Sequence, residues 1–344
     1  MNDDIHIRIE GKAGRITLAR PAALNALTYE MCLAIDAALI TWAETPAVEM
    51  LILDAEGEKA FCSGGDIAEM YATGTAGNYS YGRKFWADEY RMNARMFDFP
   101  KPVASFLQGF TMGGGVGVGC HGSHRVVCES SQIAMPEVGI GLVPDVGGSL
   151  ILARAPGRVG EYLGTTATRM GPGDAIFAGF ADYYIPREAW GPLIETLCET
   201  GDWDEIDRRA LPAPDSPLAA LQPEIDAAFA GSTLRDILNL LHQTDGDFAT
   251  EALKKLKRGA PLSVAAAVEL VHRARTRDDI RHALTQEYRF TARSMEKGDF
   301  LEGIRAAIID KDKSPKWRHD ALDAVGVADV SAMLLPLGAD ELKF

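Results

Sequence analysis

The sequence predicts an α/β fold with a helical C-terminal part, and three features of the chain support this prediction. Ile5, Ile7 and Ile9 alternate with polar residues, which is the period-two pattern of a half-buried strand. Met50–Leu53 is a continuous apolar run, as expected for a strand covered on both faces. From Leu234 onward, apolar residues recur at helical spacing. The order strand, strand, helix repeats in the first part, which favours layered α/β structure.

The N-terminal elements follow from turn and cap residues. Arg15–Leu18 is predicted to be the return strand of a hairpin that turns at Gly11–Gly14. Thr28 can cap the first helix, because its hydroxyl accepts a hydrogen bond from an N–H of the first turn. The apolar face of that helix contains Met31, Ile35, Leu39 and Trp42. Asp66, at the end of a glycine-containing loop, is expected to cap the next helix.

The middle third continues the alternation of strands and helices. A helix is predicted from about Arg83 to Phe97, because Pro100 and Pro102 disfavour its continuation. A glycine-rich turn and a short helix should follow the strand Val103–Leu107. Two short strands are predicted at Arg125–Cys128 and Gln132–Met135. A helical stretch should follow Asp145 and end at about Arg154, and another should begin with Gly157–Leu163.

A change in composition at Gly201–Pro217, rich in Asp, Pro and Ala, predicts a linker. Beyond it the pattern is helical, with predicted helices at Leu234–Leu241, Phe248–Leu256, Ser263–Ala274, Asp278–Met295 and Leu301–Ile308. We therefore expect a catalytic core over residues 1–205 and a helical region over residues 206–344 that completes the fold.

Charge and composition exclude several classes of function. The 35 Lys and Arg against 49 Asp and Glu leave a formal charge of −14, which speaks against binding to nucleic acid. No apolar run approaches the ~20 residues of a membrane span. The start MNDDIHIRIE is too acidic and polar for a signal or transit peptide. Five cysteines without CxxC spacing suggest reduced thiols, so we expect a cytoplasmic protein without a metal site.

Two kinds of residue in the middle third indicate acyl chemistry. Gly113–Gly115 can present main-chain N–H groups to a ligand, because glycine lets the backbone approach closely. Glu137 and Asp145, each directly after a proline, stand in apolar surroundings. Exposed amides with acids in an apolar wall can stabilise an oxyanion and move a proton. The plainer interpretations are a tight glycine turn, an exposed loop glutamate, and an aspartate that caps a helix.

Several motifs resemble the crotonase (enoyl-CoA hydratase/isomerase) superfamily. Four segments carry the likeness in order: LARPAALNAL at Leu18–Leu27, AFCSGGD at Ala60–Asp66, GFTMGGG at Gly109–Gly115 and PEVGIGLVPDVGG at Pro136–Gly148. Within the superfamily, three segments are similar to the 3-hydroxyisobutyryl-CoA hydrolases: GLVPDVGG after PE, DEYRMN at Asp88–Asn93 and EGIRAAIIDKDKSPKW at Glu302–Trp317. Most of the chain is therefore covered by the resemblance.

The resemblance implies a fold, a substrate class and a role for each matching residue. The fold would be a spiral core of ββα units with a helical C-terminal region, and the substrate an acyl-CoA thioester. The N–H groups of Gly65 and Gly114 would form the oxyanion hole. Glu137 would activate water or attack the thioester carbonyl to form an anhydride. Asp145 would hold a substrate hydroxyl or water, and Glu89 would contact the substrate.

One departure from the superfamily pattern favours hydrolysis over hydration. Hydratases of the superfamily use two glutamates, one aligned with Glu137 and one at the position of Gly117, and they carry glycine at the position of Asp145. Hydrolysis of 3-hydroxyisobutyryl-CoA, as in valine breakdown, is the expected activity. An enoyl-CoA hydratase or isomerase and a non-catalytic acyl-CoA-binding protein are the alternatives.

No separate cofactor is expected, since coenzyme A is part of the substrate. Gly117, Gly119 and Gly122 do fit the dinucleotide-binding pattern G-x-G-x-x-G. Such a loop should follow a strand directly, however, and Thr111–Gly115 intervenes here. The expected partner is therefore the acyl-CoA alone, without nucleic acid or membrane. The oligomeric state stays open, with homotrimers or hexamers common in the superfamily.

Overall fold

The structure, a computed structural model, describes residues 3–344. Met1 and Asn2, which open the segment interpreted above as lacking a targeting signal, lie outside the described residues. The described strands are β1 (Ile5–Glu10), β2 (Ala13–Leu18), β3 (Met50–Ala55), β4 (Ala60–Cys62), β5 (Val103–Phe106), β6 (Phe110–Met112), β7 (His124–Val127), β8 (Gln132–Ala134) and β9 (Tyr183–Tyr184).

The helices of the first two thirds are α1 (Tyr29–Ala43), α2 (Ala68–Thr75), α3 (Ser80–Phe97), α4 (Gly114–Gly119), α5 (Gly148–Arg154), α6 (Val159–Thr166), α7 (Pro172–Phe177), α8 (Trp190–Thr200) and α9 (Asp204–Arg209). Those of the last third are α10 (Pro217–Ala228), α11 (Leu234–Gln243), α12 (Asp247–Leu256), α13 (Pro261–Thr276), α14 (Ile280–Lys297), α15 (Phe300–Ile304) and α16 (Val327–Leu334). A π-helical segment, Arg305–Ile309, continues α15, and Glu137–Ile140 is a 3₁₀ turn.

The strands form two sheets, and from β3 to β8 successive strands belong alternately to one sheet and the other. The six-stranded sheet has the order β1-β2-β3-β5-β7-β9, and the three-stranded sheet has the order β4-β6-β8. All pairs are parallel except β1 with β2. From β3 to β8 the chain therefore places one strand in the large sheet and the next in the small one. This alternation is the order of a ββα spiral core.

The chain groups into two compact units, each built from three segments. Of the described residues, the first unit comprises 3–66, 91–134 and 169–219, and the second comprises 67–90, 135–168 and 220–344. The first unit holds both sheets, and the second is helical. The predicted boundary between a catalytic core and a helical region, at residues 205 and 206, falls within α9. This domain division stays a prediction.

The core of the first unit forms where one face of the large sheet packs against α8. Met50, Ile52, Ala104, Phe106 and Val126 supply the strand side of a fully buried apolar cluster, and Trp190 supplies the helix side. The rings of Phe106 and Trp190 meet edge to face at 5.2 Å. All residues of β3 are buried, which confirms the prediction of a strand covered on both faces.

The two predicted helix caps have different outcomes. The Thr28 cap is confirmed, since its side chain accepts a hydrogen bond from the Met31 N–H. The Asp66 cap is wrong: α2 begins at Ala68 without a side-chain cap, and the Asp66 carboxylate pairs with Arg20 at 3.2 Å instead.

The predicted linker at residues 201–217 is also wrong. It contains α9 and belongs to the first unit. The Ser216 hydroxyl and the Leu218 N–H both donate to the Asp174 carboxylate, so the end of this segment is held in place. In the described part of the chain, no helix is long and apolar enough to cross a membrane.

Candidate active site

Gly65 and Gly114, the predicted oxyanion-hole residues, lie in the first unit on two loops that touch each other. A Cβ atom at Gly115 would lie 2.3 Å from the carbonyl oxygen of Cys62, and one at Gly64 would lie 3.4 Å from that of Met112. Even the smallest side chain at position 115 would separate the loops, which is the physical reason for glycine there. The structure therefore brings the two glycine loops together.

Within residues 3–344, the main-chain hydrogen bonds of the two loops do not use the N–H groups of Gly65 and Gly114. Two hydrogen bonds join the loop to Leu27, one from the Leu27 N–H to the Gly64 carbonyl oxygen and one from the Asp66 N–H to the Leu27 carbonyl oxygen, and these bonds lie on either side of Gly65. Gly114 is the first residue of α4, where an N–H has no acceptor inside its own helix. Both amides can therefore donate to a bound carbonyl oxygen.

Glu137 opens a 3₁₀ turn in the second unit, and close backbone contacts hold this turn. Gly141, which ends the turn with φ +76°, would place a Cβ 2.5 Å from the main chain of Asp299. A Cβ at Gly303 would lie 2.1 Å from the Ile140 carbonyl oxygen. The start of α15 thus packs directly on the main chain of the loop that carries Glu137.

Four buried carboxyl groups in the second unit influence one another electrostatically. Glu137, Asp145 and Glu89 are each 4% exposed, and Glu287 is fully buried. The Tyr90 hydroxyl donates a hydrogen bond of 2.6 Å to Oδ2 of Asp145. The structure therefore brings together all three of the predicted carboxylates and adds Tyr90 and Glu287, which the sequence analysis did not identify.

Burial dominates the pKa values of this cluster. Desolvation, followed by the charge of Asp145, holds the pKa values of Glu89 and Glu137 well above their usual range. Desolvation also raises the pKa of Asp145, although the hydrogen bond from Tyr90 opposes this rise. Among the described residues, Oε2 of Glu137 is buried and without a hydrogen-bond partner. Glu137 therefore has the properties of a proton acceptor with one free oxygen.

The structure contradicts the capping role considered for Asp145. Helix α5 begins three residues later, at Gly148, and Gly147 occupies its cap position without a side-chain hydrogen bond. Val146 and Gly147 have φ values of +53° and +80°, so the left-handed backbone separates Asp145 from the helix. Glu287 from α14 instead accepts hydrogen bonds from the N–H groups of Gly147 and Ser149.

A sequence signal for Glu287 exists, whereas that for Tyr90 is weak. Glu287 lies three and four residues from Ala283, Leu284, Phe290 and Thr291, all buried, so it falls on the apolar face of its helix. A charged residue on such a face is rarely buried without a partner or a function. Tyr90 sits within the DEYRMN motif but shows no pattern that would link it to Asp145.

The family of the chain follows from a match to a protein-family model. The model for the enoyl-CoA hydratase/isomerase family matches residues 13–334. The chain belongs to the enoyl-CoA hydratase/isomerase family. This result confirms the resemblance inferred from the four motifs.

Named relatives of this enoyl-CoA hydratase/isomerase family member include vertebrate hydrolases. The Bos taurus protein named 3-hydroxyisobutyryl-CoA hydrolase, mitochondrial, is 35% identical over 352 residues, which cover 99% of this chain and 91% of that protein. The Homo sapiens protein of the same name is 33% identical over 357 residues, with the same coverage of both chains.

Solved structures of the same family confirm the crotonase-like fold. One, described as an enoyl-CoA hydratase from Rhodobacter sphaeroides 2.4.1, is 56% identical with a TM-score of 0.94, over 99% of this chain and 100% of that one. Another, described as a carnitinyl-CoA dehydratase from Mycobacterium thermoresistibile, is 38% identical with a TM-score of 0.94, over 100% of this chain and 99% of that one. The names of the relatives thus divide between hydrolysis and lyase chemistry.

No group of three or more His, Cys, Asp or Glu among residues 3–344 is placed to hold a metal ion. All five cysteines are buried and outside disulfides. Cys62, at the glycine loop, is one of them.

Proposed function

We propose that the protein hydrolyses the thioester of a short branched 3-hydroxyacyl-CoA, with 3-hydroxyisobutyryl-CoA as the expected substrate. The observation that carries the proposal is the buried Glu137 carboxyl, with its unpartnered Oε2, beside Asp145. Gly117 stands where the resemblance puts the second glutamate of hydratases. The relatives named 3-hydroxyisobutyryl-CoA hydrolase, at 33–35% identity, support the same assignment.

In this proposal the two glycine amides stabilise the charge that develops on the thioester carbonyl oxygen. Addition to the carbonyl carbon converts this oxygen to an anion. Fixed N–H donors such as those of Gly65 and Gly114 contribute about 3–4 kcal/mol each to the transition state. When the anion collapses, the C–S bond breaks and coenzyme A leaves as its thiolate.

Glu137 can promote the addition by either of two routes. As a general base, the carboxylate takes a proton from water, whose oxygen bonds to the carbonyl carbon, and later protonates the departing thiolate. As a nucleophile, a carboxylate oxygen bonds to the carbonyl carbon, the thiolate leaves, and water hydrolyses the resulting anhydride. Both routes require the ionised form of Glu137.

Asp145 and Glu89 would bind the acyl part. Oδ2 of Asp145 accepts from Tyr90, and in this proposal the Asp145 carboxylate also accepts a hydrogen bond from the substrate hydroxyl or from water. Glu89 lies near enough to Asp145 for the two charges to influence each other. A 3-hydroxyacyl group supplies the donor that such an acceptor needs, and a simple acyl group does not.

The second candidate function is enoyl-CoA hydration. The structure described as an enoyl-CoA hydratase, at 56% identity, favours it. Hydration needs one carboxylate to deprotonate water and another to deliver a proton to the α-carbon. Gly117 cannot supply the second group, and for this reason we place hydrolysis first. A non-catalytic acyl-CoA-binding protein is the third candidate.

One assay separates the three candidates. Purified protein, with chelator and without added metal, is given 3-hydroxyisobutyryl-CoA, 3-hydroxypropionyl-CoA or crotonyl-CoA, and released thiol and enoyl absorbance are recorded together. We expect thiol from the two hydroxyacyl esters and no loss of enoyl absorbance. If the enoyl absorbance is lost at about 10 turnovers per second and no thiol is released, the lyase assignment replaces hydrolysis. No reaction with any ester, but retained binding, would favour the binding protein.

The remaining proposals concern the metabolic role, the cellular location and the oligomeric state of the protein. A role in valine breakdown and a cytoplasmic location go with the proposed activity, although the vertebrate relatives are named as mitochondrial proteins. A homotrimer or hexamer is the assembly to test, by mass measurement in solution.

A further inference from the structure

Glu287 is a buried carboxyl that the proposed reaction does not use, and its hydrogen bonds end next to Asp145. One carboxylate oxygen, Oε2, accepts from the Gly147 N–H at 2.8 Å. The other, Oε1, accepts from the Ser149 N–H at 3.0 Å and also from the Ser149 hydroxyl. All these donors lie within four residues after Asp145, on a segment remote in sequence from α14.

The backbone that receives these hydrogen bonds has an unfavourable conformation. Val146 has φ +53°, in the left-handed region that a β-branched residue rarely adopts, and Gly147 follows at φ +80°. Such a conformation persists only where its surroundings hold it. The Gly148 N–H closes the turn onto the Asp145 carbonyl oxygen at 2.7 Å, and Glu287 holds the residues on both sides of Gly148.

Helix α14 also supports the Asp145 side chain. Thr291, one turn after Glu287, has its Oγ1 atom 3.4 Å from the Tyr90 hydroxyl. That hydroxyl donates to Oδ2 of Asp145. One face of α14 thus makes two contacts near Asp145. Glu287 binds the main chain that follows Asp145, and Thr291 contacts Tyr90, the hydrogen-bond donor to the Asp145 carboxylate.

We propose that Glu287 is a positioning residue for Asp145: it holds the left-handed turn at Val146–Gly147 so that the Asp145 carboxylate keeps its place in the site. The catalytic part of this inference rests on the proposed hydrolysis. Its structural part does not, because the hydrogen bonds to Gly147 and Ser149 can be measured without substrate.

The test substitution is Glu287→Gln, which keeps the volume but puts an NH₂ group against one of the donors. Kinetics are measured for thiol release from 3-hydroxyisobutyryl-CoA. We expect kcat to fall about 10- to 100-fold with KM changed less than about threefold, because misplacing a reacting group by ~1 Å costs about that much. A variant with wild-type kcat would overturn the proposal.

Glu161→Gln is the matched control. Glu161 is equally buried in the same unit, but its ion-pair partners are Arg158, Arg275 and His272, which are not among the proposed site residues. We expect this variant to lose thermal stability and to keep its kcat at a temperature where it is folded. An equal fall in kcat for both variants would indicate general loosening and would overturn the specific role of Glu287.

Amide hydrogen exchange provides a readout that needs no activity. In Glu287→Gln, the Gly147 and Ser149 amides should exchange at least about tenfold faster than in the wild type, while amides of α13 keep their rates. Unchanged exchange at both residues would overturn the proposal. If the wild type releases no thiol from any ester, the proposed function fails, and the exchange result alone then decides the role of Glu287.

If Glu287→Gln does not fold, Ser149→Ala replaces it. This variant removes the hydroxyl donor and keeps both N–H donors. We expect a fall in kcat of about threefold at unchanged KM, together with faster exchange at residue 149. Wild-type kcat and exchange in Ser149→Ala would overturn the proposal.

Discussion

The Tyr90 hydroxyl donates to Oδ2 of Asp145 at 2.6 Å, although 55 residues separate the two in sequence. Because this hydrogen bond favours the ionised form of Asp145, its removal raises the pKa of that carboxyl further. We expect Tyr90→Phe to reduce thiol release about tenfold near neutral pH and to lose less at higher pH. The measurement is kcat against pH for both proteins, and equal curves would contradict the assignment.

Glu137→Gln should remove nearly all turnover, by a factor of about 10²–10⁴, because the amide can neither accept a proton nor attack the thioester. Acyl-CoA binding, measured calorimetrically, should persist. Since burial disfavours the Glu137 carboxylate, we also expect a melting temperature at or above that of the wild type, with a difference that grows as pH rises. An active Glu137→Gln protein would show that another group carries the chemistry.

The pH dependence of wild-type thiol release should reflect the raised pKa of Glu137. Burial, with the charge of Asp145, places this pKa well above the ordinary value of about 4.5. The reaction needs the carboxylate, so kcat/KM should fall as pH decreases through the raised pKa, well before pH 4.5 is reached. A profile that stays flat down to that pH would exclude a buried Glu137 as the base or nucleophile.

Gly115→Ala should reduce activity because its Cβ would lie 2.3 Å from the Cys62 carbonyl oxygen and would separate the two glycine loops. We expect a loss of kcat of about 10²-fold, as for a displaced oxyanion donor. Gly191→Ala is the control: it lies in the same unit, and nothing stands within 4 Å of its added Cβ. That variant should keep its kcat and be as stable as the wild type or more so.

Glu161→Gln tests a buried ion cluster outside the proposed site. Burial opposes ionisation of Glu161, but contacts with His272, Arg275 and Arg158 lower its pKa to about 2. The lowered pKa stabilises the folded state above the unfolded pKa of about 4.5, and this contribution is lost as pH falls towards 2. We expect the variant to lose about 3 kcal/mol near neutral pH and progressively less below pH 4.5. Denaturant titrations at several pH values measure this, and a constant difference would contradict it.

Much of the fold can be predicted because its signals are local. The strand β1, the apolar run of β3 and the Thr28 cap are each read within a few residues, and all three are confirmed, although on the predicted inner face of β1 only Ile5 is buried and Ile9 is exposed. The Asp66 cap fails because Arg20, 46 residues away, takes its carboxylate. Helix α8 is not among the predicted elements, and its Pro192 is compatible with a helix because a proline is tolerated in the first turn.

In the candidate site, too, the residues with a local sequence signal are predicted and those that depend on long-range contacts are not. The motifs identify Glu137, Asp145 and Glu89, and the structure gathers these three. The contact of Glu287 with Ser149 spans 138 residues and follows from tertiary packing, so no local pattern contains it. Asp145 does not cap a helix because Val146, which follows it, has a positive φ. Valine rarely adopts this left-handed conformation, so the sequence does not indicate it.

Buried cysteines have a practical consequence for the assays. All five thiols are shielded, and burial raises the pKa of Cys120 to about 12 and that of Cys198 to about 11. A thiol is a nucleophile only as its thiolate, so a chromogenic disulfide reagent added to the native protein should react with the released coenzyme A and leave the protein untouched. The same reagent labels the cysteines once the chain unfolds. Background colour in the absence of substrate would therefore report the fraction of each variant that has lost its native structure.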